Sequence, residues 1–125
     1  MKGLIQRVSQ ASVEVEGNTI GAIDQGLLVL LGVEKNDDEA RADKLLHRIT
    51  HYRIFNDDNG KMNRSLLEVG GGLLIVSQFT LVADTRKGLR PGFSGGASAG
   101  SGEALYQYFV NTARAAMSPV ACGQF

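Results

Sequence analysis

The chain has 125 residues with 13 basic and 13 acidic side chains, so its formal net charge is zero. This length corresponds to a single domain, residues 1–125, and a hydrophobic fraction of 43% excludes native disorder. The balanced charge excludes a strongly basic protein that wraps nucleic acid, because no cation excess is present to neutralise many phosphates. A nucleic acid partner must therefore be recognised through a small contact area, and we expect no DNA partner.

The cysteine content and the apolar runs indicate an intracellular protein. Cys122 is the single cysteine, so no intrachain disulfide forms. Residues 1–7 lack the apolar core of a signal peptide, and the longest apolar run, 27–33, is far shorter than the ~18 residues of a membrane-spanning helix. We expect a cytoplasmic protein with no membrane partner.

The first third of the chain predicts a four-stranded antiparallel meander. Its strands are expected at 4–8, 13–16, 19–23 and 27–33, with a hairpin turn at Gly17–Asn18. The fourth is apolar throughout, which is typical of a strand buried on both faces.

Two amphipathic helices are expected farther along. The first begins with Asn36 as N-cap and Glu39 completing a capping box. Its apolar face comprises Ala42, Leu45, Leu46 and Ile49. The second begins near Ser101, and its apolar face comprises Leu105, Tyr108, Phe109, Thr112, Ala113 and Ala116. A turn at 56–60, a glycine breaker at 70–72 and a long glycine- and serine-rich loop at 84–102 separate these regions.

Several motifs are weak candidates for chemistry. His47 and His51 have a zinc-ligand spacing but no third ligand, so two solvated histidines are the simpler interpretation. Residues 57–60 do not fit a calcium loop, because its first and twelfth positions would fall on Phe55 and Leu66. Cys122 has no base nearby in sequence. We predict no metal and no cofactor.

The segment Ser77-Gln78-Phe79-Thr80 is the strongest candidate site. Three hydrogen-bonding side chains interrupt an apolar run, and burying each without a partner costs of order 1–3 kcal/mol. Either a ligand or an internal network must satisfy them, and the residues alone leave both open. No histidine or carboxylate within the segment could act as a general base.

Motifs in order along the whole chain resemble the D-aminoacyl-tRNA deacylase, or D-tyrosyl-tRNA deacylase, family. They are Met1–Val8, Gly26–Glu34, Tyr52–Phe55, Gly60–Asn63, Ser77–Leu81 and Arg90–Ser94. The resemblance implies an α+β fold, an antiparallel β-barrel-like sheet with two main helices. It also implies a homodimer that hydrolyses the ester of D-aminoacyl-tRNA at its 3′ aminoacyl-adenosine end, a proofreading activity in trans.

The resemblance also assigns roles to residues. Ser77 to Thr80 would line the catalytic pocket, with the backbone N–H groups of Phe79 and Thr80 directed at the ester carbonyl. Thr80 is an alternative nucleophile, but we favour activation by the ribose 2′-hydroxyl of the substrate. The supporting or substrate-binding residues would be Arg7, Lys61, Met62, Asn63 and Phe93.

One departure from the family leaves alternatives open. The family continues after the Gly-x-Phe element, here Gly123–Phe125, with a strand carrying a Gly-Pro element, and we expect that strand to be missing. Ser118–Val120 is not a substitute, since it lacks the glycine. A non-catalytic RNA-end binding module and a structural interaction domain therefore stand as alternative functions.

Overall fold

The computed structural model describes the whole chain, residues 1–125. The strands are β1 (Lys2–Val8), β2 (Ala11–Val15), β3 (Asn18–Ile23), β4 (Gly26–Gly32), β5 (Phe55–Asn56), β6 (Met62–Arg64), β7 (Gly72–Ser77) and β8 (Val120–Cys122). The helices are α1 (Glu39–His51), α2 (Leu66–Val69) and α3 (Ala99–Ala116), with a 3-10 helix at Phe79–Val82. None of the helices combines the length and the apolar composition needed to cross a membrane.

The main sheet is mixed and has the strand order β1-β4-β7-β8. β1 is antiparallel to β4, whereas the β4–β7 and β7–β8 pairs are parallel. The α+β class is confirmed, but the sheet is neither wholly antiparallel nor a closed barrel. The reason is that the chain between β4 and β7 passes through α1, and such a crossover returns the next strand parallel.

The predicted four-stranded meander is wrong. β1 pairs directly with β4, and β2 and β3 form a separate hairpin. β3 packs over β7 and β8, where Gly21 lies against Ala121 and Cys122. The hairpin turn is formed by Glu16 and Gly17, both with positive φ as in a type I′ turn, one residue before the expected position.

The core lies between the sheet and the helices α1 and α3. Leu27, Val29 and Leu31 of β4 are fully buried against this helical layer. The predicted apolar face of α1 is confirmed, since Ala42, Leu46 and Ile49 are buried and Leu45 packs against the same cluster. The apolar run at 27–33 therefore does form a strand, which lies between β1 and β7, but only one of its faces is fully buried, since Leu28 and Leu30 are half-buried.

Both long helices begin at residues other than those expected. The N-cap of α1 is Asp38, whose carboxylate accepts the Arg41 N–H at 2.9 Å, while Asn36 occupies a left-handed turn. α3 begins at Ala99 because the Ser98 hydroxyl caps it by accepting the Ser101 N–H.

The buried face of α3 also differs from the prediction. It includes Tyr106 and Val110, whereas Tyr108 and Thr112 are partly exposed and Ala116 is exposed. The Tyr106 hydroxyl lies 2.9 Å from the Ile75 carbonyl oxygen and 3.0 Å from that of Gly123. Burial raises the pKa of this hydroxyl, so it remains a protonated donor. It thereby fixes the C-terminal segment against β7.

Candidate active site

The Ser77–Thr80 segment lies where β7 leaves the sheet. Ser77 pairs with Leu31 at the end of β4, and the Gln78 N–H donates to the Leu31 carbonyl at 2.9 Å. The chain then turns through the 3-10 helix, which packs against β1 and β4. Gly32 permits this packing, because a β-carbon there would stand 3.0 Å from the Leu81 β-carbon.

A cavity of about 360 Å³ opens beside this turn. It is lined by Val33, Ser77, Phe79, Ala97, Ser98, Ala99, Gly102 and Phe125. None of these side chains titrates, so no histidine, carboxylate, lysine or cysteine lines the cavity. The site therefore holds no side chain that could act as a general base or acid at neutral pH.

The polar side chains of the segment are not sealed in the core. Ser77 and Gln78 are half-buried, Thr80 is exposed, and none of the three side chains forms a hydrogen bond within the chain. No buried side-chain oxygen or nitrogen lacks a partner. The prediction that the segment borders a concave site is confirmed for Ser77 and Phe79, whereas Gln78 and Thr80 lie beside the cavity lining.

Two helix starts face this region. The first hydrogen bond of the 3-10 helix runs from the Leu81 N–H to the Gln78 carbonyl, so the N–H groups of Phe79 and Thr80 have no acceptor within the turn. The N–H of Ala99, the first residue of α3 and part of the cavity lining, likewise has no acceptor within its helix, since the first helical hydrogen bond runs from the Gly102 N–H to the Ser98 carbonyl. Unpaired N–H groups and the positive ends of helix dipoles favour a negatively charged oxygen nearby.

Aromatic rings form two edges of the cavity. Phe79 is 68% exposed, and its ring centroid lies 5.4 Å from that of Phe93, so these two predicted residues do come together. Phe125 packs its ring against Tyr106, with the centroids 5.7 Å apart, and covers Gly102. The Tyr106 hydroxyl therefore positions two walls at once, one through Ile75 of β7 and one through Gly123.

Arg7 lies elsewhere in the chain. It pairs with Leu27 at one end of β4, while Ser77 pairs with Leu31 at the other end. This separation of four residues corresponds to about 13 Å along the strand. The Arg7 guanidinium donates to the Ile54 carbonyl at 2.9 Å and to the Asn56 side chain at 3.2 Å.

Lys61, Met62 and Asn63 lie with Arg7 rather than with Ser77. They belong to the β5–β6 hairpin, whose tight turn is held by the Asp57 carboxylate. Hydrogen bonds from Lys61 and Asn59 backbone N–H groups lower the pKa of Asp57, and these bonds confirm that residues 57–60 form a turn. Within one chain, the predicted site residues thus form two separate groups.

The other candidate motifs do not join the cavity. The His47 and His51 rings stack with their centroids 4.0 Å apart, and no cluster of three metal-ligating side chains is present. Cys122 is half-buried beside Arg114 and does not line the cavity.

Sequence reasoning missed the walls that come from distant parts of the chain. Ala97, Ser98, Ala99 and Gly102 approach Ser77 only because the loop after the 3-10 helix returns to β4, where the Ala97 N–H donates to the Val33 carbonyl at 3.0 Å. The N-cap serine at 98 followed by small residues was the available signal for this wall.

Comparison with known proteins identifies the family. The D-Tyr-tRNA(Tyr) deacylase family matches residues 4–125. The chain belongs to this deacylase family. Among its relatives, the D-aminoacyl-tRNA deacylase of Stutzerimonas stutzeri is 66% identical and that of Aeromonas hydrophila is 65% identical, each over 125 residues. These matches cover 100% of the chain and 86% of each relative.

Solved structures share the deacylase fold. A structure described as a c-Myc DNA unwinding element binding protein superposes with a TM-score of 0.94 at 34% identity, covering 100% of this chain and 85% of that one. A structure described as a probable eukaryotic D-amino acid tRNA deacylase has a TM-score of 0.79 at 18% identity, covering 98% and 87%. The second likeness concerns the fold alone.

Proposed function

We propose that this chain hydrolyses the ester bond of D-aminoacyl-tRNA, releasing the free D-amino acid and the tRNA. Membership of the deacylase family and the names of relatives at 58–66% identity support this activity. The observation that carries the assignment to a site is the cavity at Ser77 and Phe79, which is concave, uncharged and bordered by unpaired N–H groups. An ester with a polar carbonyl and no need for a charged partner fits such a site.

The chemistry requires no side-chain base. Water adds to the ester carbonyl carbon, and the bond from that carbon to the ribose 3′-oxygen breaks. The proton of the attacking water reaches the departing oxygen through the neighbouring 2′-hydroxyl of the ribose. The N–H groups of Phe79 and Thr80, together with the start of α3, would stabilise the charge that develops on the carbonyl oxygen. Ser77 and Gln78 would hydrogen-bond the substrate.

A second copy of the chain would complete the site. Arg7 is separated from Ser77 by about 13 Å along β4 and is bound to Ile54 and Asn56, so within one chain it does not line the cavity. β1 is an edge strand, and its Leu4 side chain is 55% exposed, which is unusual for a large apolar residue. A symmetric homodimer that covers this edge would bring the Arg7 group of one copy toward the cavity of the other.

Proofreading in the cytoplasm is the role that we propose for this activity. A non-catalytic RNA-end binding module is the alternative, and the family assignment argues against it. The charge balance supports a grip restricted to the single-stranded 3′ end, where base stacking and hydroxyl contacts supply recognition.

The experiment that tests the function compares D-tyrosyl-tRNA with L-tyrosyl-tRNA. We expect the purified chain to hydrolyse the D ester and spare the L ester. Binding of D-tyrosyl-tRNA without release of tyrosine would favour the binding module, and equal rates for both esters would contradict chiral proofreading.

A further inference from the structure

The loop between the 3-10 helix and α3 contains a closed, cationic projection that the deacylation chemistry does not use. At its base, the backbone N–H of Gly92 donates to the Asp84 carbonyl at 2.8 Å, and the Asp84 N–H donates to the Gly92 carbonyl at 2.6 Å. The seven residues between them, Thr85–Pro91, include three cations and no acid. We call this segment the cationic loop. Its charge stands out because the whole chain has no net charge.

The three cations differ in their partners. Arg86 is bound to the Asp84 carboxylate through Nε and Nη2 at 3.0 and 2.8 Å, which braces the loop at its base. This contact lowers the pKa of Asp84 to about 2, so the brace persists at neutral pH. Lys87 and Arg90 are exposed and take part in no ion pair or hydrogen bond. They are therefore available to an external anion.

A polar groove of about 520 Å³ leads from the base of the loop toward β1. Lys2 and Arg86 line it together with two acids, Glu34 and Asp84. Each acid already has a cationic partner, since Glu34 accepts from the Met1 amino group at 2.9 Å and Asp84 binds Arg86. Lys2 forms no ion pair, and it extends the row of available cations.

The cationic loop stands beside the candidate active site. Phe93 follows the loop base directly and contacts the Phe79 ring of the cavity edge. A closed loop of seven residues projects about 10 Å from its base.

We propose that Lys87, Arg90 and Lys2 bind the backbone phosphates of the nucleotides that precede the terminal adenosine of the substrate RNA. This inference rests on the proposed function, because it takes the cavity to hold the aminoacyl-adenosine end. Phosphate contacts carry no sequence information, but they fix the orientation of the strand. The loop thereby explains how a chain with no net charge grips RNA over a short footprint.

The test uses the double variant Lys87→Gln/Arg90→Gln and the matched control Lys44→Gln/Arg48→Gln on α1, which removes two exposed cations elsewhere. D-tyrosyl-tRNA and D-tyrosyl-adenosine serve as substrates, since the second has no preceding phosphates. We expect the loop variant to lower kcat/KM for the tRNA at least fivefold relative to kcat/KM for the adenosine ester. The control variant should keep the wild-type ratio.

Salt dependence supplies a second readout. Loss of two phosphate contacts should make the slope of log K against log salt concentration about 1.4 less steep. Between 50 and 200 mM salt, tRNA affinity should then fall about sevenfold less for the loop variant than for the wild type.

An unchanged substrate ratio and an unchanged slope would overturn the phosphate-binding role. If the loop variant instead altered the molecular mass in solution with a wild-type slope, the loop would be a contact between protein copies, which also overturns the proposal. Failure of the wild-type chain to hydrolyse D-tyrosyl-adenosine would count against the proposed function itself, and the slope would still report on the loop.

Discussion

The hydroxyl groups of Ser77 and Thr80 form no hydrogen bond with a side chain that could act as a base. Thr80 is exposed and makes no hydrogen bond, and the adjacent cavity contains no titratable side chain. A threonine hydroxyl is a weak nucleophile unless a base activates it. At the scale of the residue, the structure therefore favours a backbone role for Thr80 over a nucleophilic one.

Replacing Thr80 with alanine tests this distinction. We expect Thr80→Ala to lower the single-turnover rate of D-tyrosyl-tRNA hydrolysis by no more than about tenfold, since the backbone N–H remains. Removal of a true nucleophile costs on the order of 10⁶-fold in a serine protease. Thr19→Ala, at an exposed position on β3, is the control for a lost threonine hydroxyl. A complete loss of cleavage with substrate still bound would restore Thr80 as the nucleophile.

Gly102 and Gly100 provide a matched pair for testing the cavity. A β-carbon at Gly102 would lie 3.1 Å from the Phe125 ring, whereas a β-carbon at Gly100 would have no neighbour within 4 Å. We expect Gly102→Leu to reduce kcat/KM at least tenfold, because its side chain displaces Phe125 or fills the cavity. Gly100→Leu should leave kcat/KM unchanged. Equal activity of the two variants, measured on D-tyrosyl-tRNA, would show that the reaction does not take place in this cavity.

At the scale of elements, α3 determines how the two cavity walls meet. Its Tyr106 hydroxyl bonds to β7 two residues before Ser77 and to the C-terminal segment two residues before Phe125. A second tyrosine on the same helix, Tyr108, donates instead to the Asp43 carboxylate of α1 at the surface, at 2.8 Å. The two hydroxyls thus link the same helix to the buried sheet and to an exposed neighbour.

Tyrosine-to-phenylalanine substitutions separate these two links. Tyr106→Phe leaves the buried Gly123 carbonyl without its partner, which should lower the free energy of unfolding by about 1–3 kcal/mol. Each kcal/mol corresponds to roughly 4 °C in Tm for a chain of this size. Tyr108→Phe should cost less, since water can replace the lost contact. Urea unfolding of both variants measures the difference, and a larger loss for Tyr108→Phe would contradict the role assigned to Tyr106.

Local patterns predicted the elements better than their arrangement. The apolar run at 27–33 indicated β4, and the spacing of Ala42, Leu46 and Ile49 indicated the buried face of α1, because burial and periodicity are local properties. The parallel pairing of β4 with β7 was missed, since strand direction depends on the crossover through α1. Tyr106 was missed because its neighbour Leu105 already marked the predicted apolar face of α3. The packing of the helix on the sheet determines on which side of Leu105 the buried face extends.

The site was predictable to the same extent. The interruption of an apolar run by polar side chains marked Ser77–Thr80 as a candidate site, but only the family resemblance predicted that this segment lines a pocket. The wall from α3 and the separation of Arg7 from Ser77 depend on long-range contacts, which no local pattern encodes.

At the scale of the whole molecule, the proposed site requires two copies of the chain. We expect the wild-type protein to be a dimer in light scattering and Leu4→Glu to be a monomer with reduced deacylation, because the charge disrupts an interface at the edge of β1. Leu67→Glu, at a comparably exposed leucine on α2, is the control and should remain a dimer. A wild-type monomer with full activity at micromolar concentration would contradict the shared site.

In the proposed mechanism the substrate, rather than a protein side chain, supplies the group that activates the attacking water. The direct measurement compares D-tyrosyl-tRNA ending in ordinary adenosine with the same ester on a terminal 2′-deoxyadenosine, under single-turnover conditions at matched occupancy. Because the cavity lining holds no titratable group, we predict that loss of the 2′-hydroxyl abolishes hydrolysis. Equal rates on the two substrates would contradict the claim and would show that a group of the protein performs the activation.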